Sequence, residues 1–146
     1  MGDRPMAHRA STVSAPWQAQ LALAWAIVGP PLLVFGATRV GRGQIPLHRR
    51  LMSTWVVVEL LVFAGFGLLM QPGARRPALL ALPIFKIHLA FAVATLAGIA
   101  WQLTSRVMPR LRPLHRLTGP YVVLVWCLAL VTGIYNFVFL YVMDSP

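Results

Sequence analysis

The chain has 146 residues, of which 58% are apolar and only 11% charged, a balance far outside that of soluble globular domains and one that marks a membrane protein. Its 13 Lys and Arg against 3 Asp and Glu would suggest nucleic acid in a soluble chain, but here the cations lie between long apolar runs. There they act as topology signals and headgroup contacts, which excludes nucleic acid as a partner. The single cysteine, Cys127, sits inside an apolar run and excludes an intramolecular disulfide or a paired-thiolate metal site.

Four apolar runs are each long enough to cross roughly 30 Å of hydrocarbon as a helix. They cover residues 17–37, 51–70, 79–104 and 119–143. The expected fold is all-α, an integral membrane four-helix bundle forming a single transmembrane domain over residues 1–146. Proline and glycine punctuate the three connections: Gly41, Gly43 and Pro46; Pro72, Gly73 and Pro77; Pro109 and Pro113. Pro30 and Pro31 should kink the first helix, because two backbone donors are missing there. The first run also admits reading as a cleaved signal peptide ending near Phe35-Gly36-Ala37, but its counterpart later in the chain favours a retained helix.

The connection between runs one and two carries Arg39, Arg42, Arg49 and Arg50, and that between runs three and four carries Arg106, Arg110, Arg112 and Arg116. The opposite side has Arg4, Arg9, Arg75 and Arg76, with Lys86 just inside the third run. The positive-inside rule therefore places the first and third connections in the cytoplasm and both termini outside, in the plasma (inner) membrane of a bacterium.

Those two basic connections are also related to each other. Shifted by 67 residues, Thr38-Arg39-Val40 falls on Ser105-Arg106-Val107 and Pro46-Leu47-His48-Arg49 on Pro113-Leu114-His115-Arg116, with six of twelve positions identical. The chain thus reads as two parallel-repeat helix pairs, residues 17–78 and 79–146, with a symmetry axis along the membrane normal. Gly65, Gly67, Ala94, Ala97, Gly98 and Gly133 are the expected points of close helix contact.

Polar groups inside hydrocarbon are costly, so each is a site candidate. Glu59 lies eleven residues after His48, within about 20° of the same helical face. Its depth matches that of His88 to about one helical turn, which predicts a buried polar pair between Glu59 and His88: a proton relay, a ligand site or a structural bond between helices. Lys86 reads as a snorkelling residue, and His8 as an exposed residue of the tail. His48 and His115 occupy equivalent helix starts, each followed by an arginine. Such a pair suits axial ligation of a haem b, its propionates on Arg49 and Arg116; the plainer reading is binding of lipid phosphates. Copper is less favoured, since no Cys or Met ligands are grouped nearby. No phosphate loop, zinc-protease helix or Ser-His-Asp set is present, so no catalytic residues are assigned and an ordinary enzyme is not expected.

The combination of His48-Arg49-Arg50-Leu51-Met52, Ile84-Phe85-Lys86-Ile87-His88-Leu89-Ala90, and His115-Arg116-Leu117 followed by Trp126, Thr132, Gly133 and Tyr135 resembles the CtaM/YozB-like family of small four-helix membrane proteins. The resemblance spans all four runs. It implies a role in maturing haem-copper terminal oxidases (cytochrome c oxidase), with oxidase subunits as partners and with haem or copper delivery as the chemistry assisted. The histidines matching the family pattern are His48, His88 and His115. The second connection departs from it, being short and basic (Arg75-Arg76-Pro77) where relatives are expected to carry a histidine or a Gly-rich segment. Two other readings stand beside this one: a small b-type cytochrome with His48 and His115 as ligands, and an accessory subunit of a respiratory complex.

Overall fold

Proline marks the start of every helix. The computed structural model describes residues 15–69 and 82–143. Within them the chain is helical throughout, with no strand: α1 (Trp17–Thr38), α2 (Ile45–Leu69), α3 (Pro83–Val107) and α4 (Arg112–Val138), a 3-10 turn at Pro109–Leu111, and a π segment at Phe139–Met143. Pro16 caps α1, Pro83 opens α3, and Pro46 and Pro113 are the second residues of α2 and α4. A proline is tolerated in the first turn because the missing N–H would have had no intrahelical acceptor.

This changes the expected boundaries. Pro46 and Pro113, read from sequence as loop punctuation, are the first turns of α2 and α4, which begin nearly two turns earlier than residues 51 and 119. The third helix begins at Pro83; residues 79–81, and with them Arg75-Arg76-Pro77, lie outside the described residues. α1 runs uninterrupted across Pro30 and Pro31. The α1–α2 connection is a compact turn in which Gly43 takes φ +71, a backbone region that glycine enters without penalty. Its N–H donates to Val40 O at 3.0 Å, and the Gln44 N–H to Arg39 O at 3.0 Å.

The helices pack in the order α2, α1, α4, α3, with α3 against α4, α4 against α1, and α1 against α2. A two-fold axis relating the pairs would turn the α1/α4 contact into one of similar extent between α3 and α2. The described residues make no such contact, so the two pairs join through one helix of each. The core lies where three helices meet: Ala26 and Leu33 of α1, Ile99 of α3, and Trp126 and Leu130 of α4. Buried positions Ala19, Ala26, Gly29, Leu33 and Gly36 recur at three, four and seven residues, the stripe by which one helix face meets a neighbour.

Glycine sets how closely these faces approach. A Cβ on Gly98 would stand 2.9 Å from Val122 Cγ1, and one on Gly29 2.9 Å from Leu130 Cδ1. Of the small residues expected at contacts, Gly98 and Gly133 are there. Ala94 and Ala97 are exposed and Gly65 faces open space; the surroundings of Gly67 lie outside the described residues. Gly29 and Gly36, the close-contact positions of α1, escaped the sequence reading.

Among the described residues, three helical stretches are long and apolar enough to cross a membrane: Trp17–Thr38, Pro83–Val107 and Pro109–Met143.

Candidate functional site

His48 and His88 are each bonded to a backbone carbonyl of a neighbouring helix. At the turn between α1 and α2, His48 Nδ1 lies 2.9 Å from Gly36 O. A carbonyl oxygen only accepts, so Nδ1 carries the proton and Nε2 keeps its lone pair. The bond ties the first turn of α2 to the last turn of α1, where helix carbonyls lack intrahelical donors. His88 behaves alike: its Nδ1–H is shared between Ala129 O at 3.0 Å and Thr132 Oγ1 at 3.2 Å. Gly133 makes room for the ring, since a Cβ there would stand 3.3 Å from His88 Cε1. α3 is thereby riveted to α4.

His115 occupies the position equivalent to His48, and its Nδ1 lies 3.2 Å from Gln102 O and 3.5 Å from Ser105 Oγ. Here a second polar layer intervenes. The Gln102 amide reaches Thr118 Oγ1 at 2.8 Å, and Trp101 Nε1–H donates to the same hydroxyl at 3.1 Å. With the amide turned over, its nitrogen donates to His115 Nδ1 at 2.7 Å and its oxygen accepts from Gly119 N–H at 3.1 Å. The two orientations assign opposite tautomers to His115, whereas nothing at His48 competes with the carbonyl. The expected equivalence therefore holds for position but not for hydrogen bonding. His48 bonds within the α1/α2 pair and His115 within α3/α4, and the described residues contain no group of three or more His, Cys, Asp or Glu placed to hold a metal ion.

The expected Glu59–His88 pair is not formed. Glu59 accepts from Trp25 Nε1–H of α1, while His88 is bound to α4, two helices away in the packing order. Depth along the chain was compatible with pairing, but helix order put α1 and α4 between the two residues. Trp55, one turn before Glu59, lies with its ring centroid 5.7 Å from that of Trp25 at 41°. Its Nε1 is buried without a partner. No sequence motif announced Trp25 as the partner of Glu59. The spacing of Trp55 and Glu59 on one face of α2 is the only signal present.

The arginines surround the two turns. Arg39 stacks its guanidinium 3.6 Å over the Phe35 ring and donates to Gln44 Oε1 at 3.3 Å, while Arg49 and Arg116 are exposed beside His48 and His115. Lys86 is exposed. Buried polar atoms of Thr95, Trp126 and Asn136 have no partner among the described residues. No protein-family profile, curated protein or solved structure matches this chain.

Proposed function

We propose that this chain is a four-span protein of a bacterial plasma membrane that assists the assembly or cofactor maturation of a haem-copper terminal oxidase. In this reading α2 is the fourth span, both termini lie outside, and the two arginine-rich turns face the cytoplasm, as the positive-inside rule asks. The observation that carries it is the state of His48 and His88. A backbone carbonyl holds each Nδ1–H and leaves Nε2 a lone pair, the tautomer in which histidine meets a metal or a haem iron. Histidines held this way but dispersed over separate helix pairs suit transient hand-over of a cofactor better than a resident centre. The motif resemblance supplies the identity of the client.

The test is complementation. In a host whose own copy is deleted, the intact chain should restore the oxidase haem and copper content and oxygen consumption. His48→Ala and His88→Ala should restore less than about a tenth, on the scale of second-shell and ligand losses at metal sites. Full oxidase maturation in the deleted host would refute the reading.

A b-type cytochrome is the second reading, favoured by His48 and His115 each preceding an arginine able to hold a propionate. A reduced-minus-oxidised visible spectrum of the purified protein separates the two, since only a cytochrome gives a sharp alpha band at stoichiometric occupancy.

A further inference from the structure

Glu59 is the only carboxylate among the described residues, and its surroundings are those of a receptor for a cation. It sits fourteen residues, about 21 Å, from one end of α2 and ten residues, about 15 Å, from the other. A carboxylate offers about four acceptor positions; one is used, by Trp25 Nε1–H, and no described basic side chain forms an ion pair with it. A carboxylate far from both ends of an apolar helix, with that much unused capacity, is costly unless something neutralises it.

The groups around it are two indole rings. Trp25 and Trp55 lie 5.7 Å apart, tilted at 41°, with Glu59 bound to the first and one turn beyond the second. Glycine leaves room for both rings on α1: a Cβ on Gly29 would stand 3.5 Å from Cε2 of Trp25 in the same helix, and one on Gly36 would stand 3.6 Å from Nε1 of Trp55, which reaches α1 from α2. Among the described residues, α1 is the only helix on which α2 packs extensively, and Glu59, Trp25 and Trp55 all remain partly exposed.

We infer that Glu59, Trp25 and Trp55 form a binding site for a hydrophobic monovalent organic cation of the quaternary ammonium or phosphonium class. Indole faces attract cations, most strongly where water is excluded, and a carboxylate in low dielectric adds a direct charge contact. A small inorganic cation is disfavoured, because calcium or magnesium demands six or more oxygen ligands and this site offers one carboxylate. A primary ammonium holds its water tightly, whereas a quaternary ion with apolar substituents enters such a site already weakly hydrated. This inference rests on the reading of α2 as a membrane span and not on the oxidase reading.

The experiment uses the full chain in detergent micelles and a matched pair of probes, tetraphenylphosphonium and tetraphenylborate, alike in size and opposite in charge. Equilibrium dialysis should show saturable binding of one phosphonium per chain, at least about 10-fold tighter than the borate, a ratio that corresponds to about 1.4 kcal/mol. The chain's net charge of +10 favours the anion everywhere else, so a preference for the cation reports a local site. Glu59→Gln should weaken phosphonium binding about 10-fold or more and leave borate uptake unchanged. Trp25→Phe and Trp55→Phe, which keep a weaker ring, should weaken it about 2- to 5-fold. Non-saturable uptake equal in the wild type and Glu59→Gln overturns the proposal. So does borate binding as tight as phosphonium binding to the wild type, a comparison that requires no variant to fold.

Discussion

The two arginine-rich turns share a sequence and differ in how they are secured. Between α1 and α2, His48 makes one hydrogen bond, to Gly36 O, the Trp25–Glu59 bond lies farther along the pair, and the close contact beneath the turn is soft: a Cβ on Gly36 would meet the flexible Met52 Sδ at 3.2 Å. Between α3 and α4, His115 is joined by Gln102, Ser105, Thr118 and Trp101, and a Cβ on Gly98 would stand 2.9 Å from the branched Val122. α3/α4 is a tight pair with polar stitching along its length, His88 and Thr132 included. α1/α2 is a looser pair, although among the described residues the outer helix of each pair packs extensively on one neighbouring helix. A repeated motif thus fixes a position in the fold without fixing the energy stored there, because the second layer of side chains is not repeated.

The sharpest way to break that contrast is at the glycines. Gly98→Ala should cost about 1–3 kcal/mol through overpacking against Val122, measured by denaturant unfolding in bicelles. Gly36→Ala should cost less than about 1 kcal/mol, since Met rearranges readily. Equal losses would mean that the pairs are equally tight. Next come the histidines. His115→Ala leaves Gln102 and Ser105 without their partner and should destabilise by about 1–1.7 kcal/mol, against about 0.6 kcal/mol for His48→Ala. Coupling between Gln102→Leu and His115→Ala in a double-mutant cycle, with none between Gln102→Leu and His48→Ala, would place the asymmetry in that amide.

Smaller still is Thr132→Val, which removes one of two acceptors from His88 Nδ1–H and should cost about 0.6 kcal/mol in the same assay. The least effect is expected between Glu59 and His88. Their substitutions, Glu59→Gln and His88→Ala, should add to within about 0.3–0.5 kcal/mol, as for sites that share no partner. A larger interaction energy would show that the two helix pairs communicate through the core.

Much of this was legible in the chain itself. Apolar runs of about twenty residues can only be helices in a bilayer, since each backbone group must find its partner within the segment. Proline spacing marks the turns, although Pro46 and Pro113, which read locally as breaks, stand in first turns; the residue that ends one helix also opens another, and local sequence does not say which. His48 and His115 were recognised as equivalent because their neighbours repeat. What could not be read was adjacency. Glu59 and His88 lie at compatible depths, and sequence offers no measure of which helix stands between them.

Composition and sequence pattern alone determined the long apolar helices, the arginine-rich turns and the short list of polar residues within the apolar runs, because these depend on local hydrogen bonding and on transfer from water, both properties of a segment by itself. The tertiary structure decided the order α2, α1, α4, α3, the indole partner of Glu59 and the separate carbonyl anchors of the histidines. Those depend on which helix faces meet, and that is settled by the fit of Gly29, Gly36 and Gly98 against side chains distant in the chain.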